Sequence, residues 1–381
     1  MPSRRHLLFA AAGGGLLSLA GRTLRAAATP ADPLAPWAAA PSATHPDPRI
    51  RAAGWAVLAP NPHNRQPWLI ELVGTDSLLL RCDLDRRLPV TDPLDRQITI
   101  GLGCFAELFR MAAAAAGLAT RIEPFPEGEP APRLDAGPVA RITLGPGGVP
   151  DPLFAGAAAR RSTKRPFDMA RPVTSGQIEG LAAAIPAPVR FGAATAPEAV
   201  APLRDLAWTA WQVEAATPAA HGESVALMRL GRAAVAAAPD GISIWGPGLE
   251  EAIARGELTR ESLATPGQPG YGIMVERYRA MLAATPAMVW LATPDASRGA
   301  AFTAGRAWLR LNLAATAIGL ALHPVSQALQ EFPEMAEHYR AAQARLGGGG
   351  GGTAQMLGRL GHAPPALPTP RWPVESRILR G

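Results

Sequence analysis

One lysine stands among 37 basic side chains in this 381-residue chain, and it sits inside a run of arginines, Arg160-Arg161-Ser162-Thr163-Lys164-Arg165. Guanidinium forks grip oxyanions through paired N–H donors, while an ammonium is a compact point charge. The run therefore suits a phosphate beside an electron-rich ring edge. On charge alone, the same run is a solvated helix end. A second segment, Ala59-Pro60-Asn61-Pro62-His63-Asn64-Arg65-Gln66-Pro67-Trp68, concentrates amides, an imidazole and prolines. Asn61 or His63 taken singly is a turn residue. What separates these readings is the order in which the two segments occur.

No other chemistry competes. Lys164 is the only lysine, so Gly347–Gly352 cannot open a phosphate-binding Walker loop and reads as a flexible connector. There is no G-x-S-x-G, no H-E-x-x-H and no C-x-x-C. The seven histidines are dispersed, so no metal is expected. A formal charge of +6 raises the question of nucleic acid, but the arginines are scattered and no basic stripe carries interleaved aromatics. Cys82 and Cys104 could pair in an oxidising compartment; buried free thiols are the expected state.

The elements that must position these residues follow from patterning. With 48% hydrophobic and 18% charged residues the chain can bury a real core, and 39 Gly with 40 Pro make many loops. Ser3-Arg4-Arg5-His6-Leu7-Leu8 is a twin-arginine start, and Ala26-Ala27-Ala28 offers a cleavage site, so residues 1–28 read as an export signal, with an uncleaved anchor as the alternative. The apolar stretch Leu7–Ala20 is short and Gly-rich, and no later run is expected to be long and apolar enough to span a bilayer. Residues 29–46 read as a linker, 47–148 as a first half and 149–381 as a second, with 217–272 an irregular insertion or lid. Asp47-Pro48 and Asp151-Pro152 begin helices, and Thr174 with Gln177 forms a capping-box pattern. Strands are expected at 68–73, 77–82, 140–144, 188–193 and 287–292.

Two long apolar helices, from about Gly103 and Gly305, align without gaps over sixteen residues at a lag of 202, with six identities. Ala-rich composition supplies some of them. A duplicated domain would place two copies face to face about a pseudo-twofold axis, with these helices at its centre.

The segment Arg160–Asp168 resembles the phosphate- and flavin-contacting motif of the FMN-dependent nitroreductase family, and Ala59–Trp68 resembles its A-P-S-x-x-N-x-Q-P-W motif. Ile318–Ser326 resembles its G-L-x-x-x-P segment; Met356–His362 and Thr369–Pro373 resemble its closing strand and tail. In that family the R-R-S motif precedes A-P-S-x-x-N within one subunit, and each FMN touches both chains of a dimer. Here the order is reversed across two halves. The resemblance therefore implies an α+β fold with a mainly antiparallel sheet flanked by helices, duplicated as a fused pseudo-dimer with one surviving composite site. This is the pattern of the family's Acg-like branch. It implies FMN as cofactor, with Arg160, Arg359 and Arg371 on the phosphate, Ser162 donating from its hydroxyl, and Arg161 on ribityl oxygens. Lys164 is implied at the N1/O2 ring edge, where a cation stabilises the reduced flavin. Backbone around Pro324, Val325 and Ser326 is implied at N5 and O4, although Ser326-Gln327 replaces the family's acidic residue and Gly. Pro60, Asn61, His63 and Asn64 would cover the dimethylbenzene side. Trp372 stands where the family's tail has a second Arg. The resemblance implies an exported, periplasmic oxidoreductase using NAD(P)H or another reductant and a small electron-poor acceptor, with no side-chain acid or base. The alternative is a protein that holds FMN without turning it over.

Overall fold

Asp47 caps its helix by accepting from the Arg49 N–H with Pro48 at N1, and Thr174 and Gln177 form the reciprocal box expected of them. The structure, a computed structural model, describes residues 32–42, 44–347 and 351–379; the expected export signal lies outside them. The first half runs α1 (Ala35–Ser42), α2 (Pro48–Ala56), β1 (Trp68–Val73), β2 (Ser77–Cys82), α3 (Arg96–Ala115), β3 (Leu118–Pro124) and β4 (Pro138–Pro146). The second begins with α4 (Ser175–Ala183) and β5 (Arg190–Ala194). An insertion follows: α5 (Pro197–Ala216), α6 (Pro218–Ala226), β6 (Met228–Leu230), α7 (Gly231–Ala237), β7 (Ile242–Ile244), α8 (Leu249–Ala254), α9 (Arg260–Ala264) and α10 (Pro269–Ala283). The chain ends with β8 (Ala287–Thr293), α11 (Arg298–Ala317), β9 (Ala321–Pro324), α12 (Ala336–Leu346), β10 (Thr353–Gly361) and β11 (Ile378–Leu379).

Both halves build the same sheet. The strand orders are β1-β2-β4-β3 and β5-β8-β10-β9, with every neighbouring pair antiparallel. In each half the long helix lies between the second and third strands in chain order. The C-terminal β11 then leaves its own half and pairs in parallel with β1, so the chain closes on the first sheet. The α+β class with antiparallel sheets is what the sequence led one to expect.

Helices α3 and α11 are each 20 residues long and begin at Arg96 and Arg298, the same lag that their sequences share. They meet at glycine. A Cβ on Gly103 would lie 2.1 Å from the Phe302 carbonyl oxygen, and one on Gly305 would lie 2.0 Å from that of Ile100. The two contacts are exchanged by one shift of register, as an isologous interface requires. Both helices start seven residues before the expected glycine. Asp92 accepts from the Gln97 and Ile98 N–H groups, and the Ser297 hydroxyl accepts from that of Ala300. Cys104, a buried free thiol, donates to the Gly305 carbonyl at 3.0 Å.

Three expectations need correction. Helix α3 is long and apolar enough to cross a bilayer, but 89% of its apolar window is buried at the centre of the protein. The supposed linker 29–46 contains α1, whose Trp37 and Ala40 are buried, because apolar side chains pay off better against the first half than in water. The segment 217–272 is not irregular. It folds as short helices around Val225, Met228, Ala252, Leu258 and Leu263. The whole insertion runs from α5 to α10, where the first half has only the Gly74 turn, at φ +54°, between β1 and β2.

Candidate functional site

The loop after α2 is held in a conformation that ordinary residues avoid. His63, Asn64 and Gln66 have φ of 46°, 52° and 52°. Left-handed backbone costs about 1 kcal/mol or more at each non-glycine residue, so local bonds must hold it. The Asn61 side-chain oxygen accepts from the Gln66 N–H at 2.7 Å. Asn64 donates to the Pro370 carbonyl at 3.1 Å and accepts from Arg371 at 2.5 Å. Gln66 donates to the Pro239 carbonyl and accepts from the Trp372 N–H, both within 2.9 Å. The loop that carries Pro60, Asn61, His63 and Asn64 is thus clamped between the C-terminal tail and the insertion.

Against the stem of this loop lies a cluster of three guanidinium groups. Arg160 donates to the Leu58 carbonyl at 2.8 Å, and Arg371 donates to those of Leu58 and Ala59 at 3.3 and 3.2 Å. These carbonyls follow the C-terminus of α2, where the helix dipole places partial negative charge. Arg161, half-buried, donates to the carbonyls of Ala158 and Arg160. All three converge on the ring of Trp37, with guanidinium carbons 5.9, 4.4 and 5.6 Å from its centroid for Arg160, Arg161 and Arg371. Among the described residues, no carboxylate lies within ion-pair distance of any of them.

Burial and mutual repulsion show in their electrostatics. Burial, with a smaller push from Arg161, holds Arg160 down to about 10. Arg371 is held well below the usual guanidinium range by burial and then by Arg160 and Arg161. The buried Nε atoms of Arg160 and Arg371 have no hydrogen-bond partner. Guanidinium remains protonated under these conditions, so a concentration of positive charge persists with no anion among the described residues to offset it.

Lys164 lies on the other side of the same segment. Ser162 forms a parallel bridge to Leu322, and the Thr163 N–H donates to the Leu322 carbonyl at 3.1 Å, which seats Lys164 beside β9. Its side chain is exposed, yet surrounding protein lowers its pKa, partly offset by Glu214 of the insertion. His63 faces Lys164 from the first half: burial, then the charges of Lys164 and Arg65, hold His63 down to about 4. His323, from β9, is held well below its usual value by burial, Arg359 and Lys164. Both imidazoles are neutral at pH 7. The segments that the sequence placed in separate halves therefore come within electrostatic reach of each other, His63 of one and Lys164 of the other.

Two expected residues are placed otherwise. Arg359 does not join the arginine cluster. Its guanidinium donates to the carbonyls of Met281, Thr163 and Arg165, to the Thr285 hydroxyl and to His323 Nδ1, and packs 4.2 Å from the Phe167 centroid. All five donors are spent, so Arg359 braces the Lys164 loop and has none left for a phosphate. Val325 is fully buried and its N–H donates to the Leu357 carbonyl at 2.9 Å, so it cannot donate to a ligand. Beside it, Pro324 pairs with Gly358, and the Ser326 hydroxyl both donates to the Leu357 carbonyl and accepts from its N–H.

Sequence reasoning missed Trp37, which sits in a Pro/Ala-rich stretch with no periodic signal. It also missed Glu214. This carboxyl is buried, accepts from Ser224 and Gln330, and is pushed up by burial. A lone acid on an otherwise apolar turn of helix was the available signal. Among the described residues, no group of three or more His, Cys, Asp or Glu is arranged to hold a metal.

No family model matches the chain. A Mycobacterium tuberculosis H37Rv protein, Rv3131, named as a candidate NAD(P)H nitroreductase, is 30% identical over 335 residues, covering 84% of this chain and 90% of that protein. A second protein of that organism, acg, named in the same way, is 40% identical over 72 residues, 19% of this chain and 21% of its own. Among solved structures, a Bacteroides fragilis nitroreductase with bound FMN aligns with 57% of this chain and 91% of its own, at 16% identity and a TM-score of 0.33.

Proposed function

This chain belongs to the NAD(P)H nitroreductase family, and on that premise we propose that it is an exported oxidoreductase that binds one FMN and reduces an electron-poor acceptor such as a nitroaromatic or quinone. The observation that carries the reading is the arginine cluster with no carboxylate among the described residues to pair it, a short distance along the chain from the exposed Lys164. The donor set fits the cofactor. Arg160, Arg161 and Arg371 would hold the phosphate through charge-assisted hydrogen bonds, with Ser162 at the start of the same turn. Lys164 would lie at the electron-rich edge of the ring system, and Pro60, Asn61, His63 and Asn64 would cover it from the first half. When bound, FMN supplies hydride transfer between a nicotinamide donor and an acceptor. The chain itself binds, orients and tunes. Lys164 would stabilise negative charge at the ring edge, and the neutral state of His63 and His323 would leave those two imidazoles without charge beside it. Arg359 keeps the Lys164 loop in place. The insertion, whose Glu214 faces Lys164, would restrict access.

Export through the twin-arginine route rests on Ser3-Arg4-Arg5 and fits a protein that must acquire its cofactor before leaving the cytoplasm. A second reading is a protein that holds FMN without turnover. It is favoured by one observation: the Val325 N–H, expected at flavin N5, is bound to Leu357.

The purified mature chain tests both. The first reading expects a yellow protein, bleached under argon by NAD(P)H and recoloured by a nitroaromatic. A yellow protein bleached by dithionite and not by NAD(P)H supports the holding role or another electron donor. A colourless protein that takes up no FMN overturns both.

A further inference from the structure

Trp37 is the point at which three guanidinium groups meet, and it reaches them from the N-terminal edge of the described chain. Its helix, α1, is tied to the C-terminal tail twice: the Trp37 indole N–H donates to the Thr369 carbonyl at 2.8 Å, and the Arg371 N–H donates to the Pro33 carbonyl at 2.9 Å. Nothing in the sheets requires this tether. Helix α1 adds no strand and caps no sheet, and its eight residues, APWAAAPS, contain no charged side chain. Beside the buried Pro36 and Ala40, it contributes one large aromatic face. That face lies 4.4 to 5.9 Å from three cations that repel one another. An aromatic quadrupole attracts cations without neutralising them, so Trp37 can gather the three groups and still leave their charge to be met by an anion.

We propose that α1 is a strap over the anion site, and that Trp37 is a positioning residue: it holds the guanidinium groups of Arg160, Arg161 and Arg371 on one centre and so slows escape of a bound phosphate monoester. The proposal rests on the reading of that cluster as the FMN phosphate site. The strap contacts the phosphate end directly, through Trp37; the His63 loop meets α1 only at one remove, through the C-terminal tail, and Lys164 through no contact described above. Its effect therefore separates two ligands that differ only in the phosphate, FMN and riboflavin. For an exported protein the consequence is retention of a cofactor once the chain has left the compartment that supplies it.

The experiment compares the mature chain with Trp37→Phe and Trp37→Leu, measuring release of FMN and of riboflavin by the rise in flavin fluorescence after dilution. Phenylalanine keeps an aromatic face; leucine keeps apolar bulk without one. The proposal expects Trp37→Leu to release FMN about tenfold faster than the wild type, with riboflavin release unchanged and Trp37→Phe close to wild type. Equal acceleration of both ligands, or equal effects of Phe and Leu, would mean that Trp37 only packs the core, and would overturn the strap. Failure of the wild type to bind either flavin would instead overturn the cofactor reading. Inorganic phosphate covers that case: if it raises the wild-type melting temperature and does so less for Trp37→Leu, the strap over an anion site stands without FMN. If phosphate shifts all three proteins alike, or none, the strap falls too.

Discussion

Two of the clusters of three arginines among the described residues are balanced in opposite ways. Arg110, Arg306 and Arg310, on α3 and α11, share Glu107 and Asp151. Arg110 reaches Glu107 at 2.6 Å and Asp151 at 3.0 Å, Arg306 reaches Glu107 at 2.8 Å, and Arg310 reaches Asp151 at 2.6 Å. Arg310 also donates to the Ala184 carbonyl just past α4, much as Arg160 donates to Leu58 just past α2. Burial would raise Glu107, but the Arg110 hydrogen bond and the charges of Arg306 and Arg110 outweigh it and hold the carboxyl below its usual range. That cluster carries its own counterions and needs nothing from outside. Arg160, Arg161 and Arg371 have none and gather instead around an indole. Two halves with one strand order thus place arginines near the ends of corresponding helices, but only one set has charge left to offer a ligand. The difference makes a single anion site the natural reading of a chain with two sheets of one strand order.

The comparison breaks most visibly at Glu107. Replacing it with Gln leaves the α3–α11 arginines with Asp151 alone, and should cost about 3 kcal/mol of unfolding free energy by urea titration, with FMN content unchanged. In the other cluster the sign of the trade reverses. Arg161→Gln removes one charge from a group that donates only to nearby carbonyls. FMN binding should weaken by about 2 kcal/mol in a fluorescence titration, while stability without ligand holds.

Acid separates the regions in sequence. His63 has a folded pKa near 4 against an ordinary 6.5, so the unfolded chain binds more protons between those values, and stability falls as pH drops through that window. Glu107 and Asp151 are both held low, so their contribution is present above the ordinary carboxylate range and is lost at lower pH, as they protonate in the folded state. The upper part of the acid transition should shrink in His63→Gln, by about 1 to 2 kcal/mol because His63 is only half-buried, and the lower part should persist. The smallest effect is expected for Arg110→Gln. Glu107 keeps Arg306 and Arg310, so the loss should stay under about 1 kcal/mol in the same titration.

How much of this was legible depended on whether residue type alone fixed the role. The 59–68 loop and the Arg160–Lys164 run stood out through their resemblance to family motifs, since each alone also reads as a turn or a solvated helix end, and the capping residues Asp47 and Thr174 act through neighbours three positions away or fewer. The packing of the two long helices was legible at Gly103 and Gly305 because two helix backbones in contact leave no room for a side chain. Arg359 misled because sequence gives the donors and not the acceptors; three carbonyls from two distant segments claim them. Trp37 was hidden because its role comes from tertiary contact, in a segment whose composition reads as linker. Glu107 was hidden for a related reason. One acid on an apolar helix has no pattern, and its three partners come from two helices 200 residues apart in sequence.

The account turns on one site with charge to spare, and stoichiometry tests it most directly. Mature protein stripped of flavin should take up one FMN per chain in a calorimetric titration, with excess inorganic phosphate weakening the binding. Two FMN per chain would mean that the self-neutralised cluster also opens to a ligand, and none would mean that the unpaired arginines serve another anion; either result would contradict it.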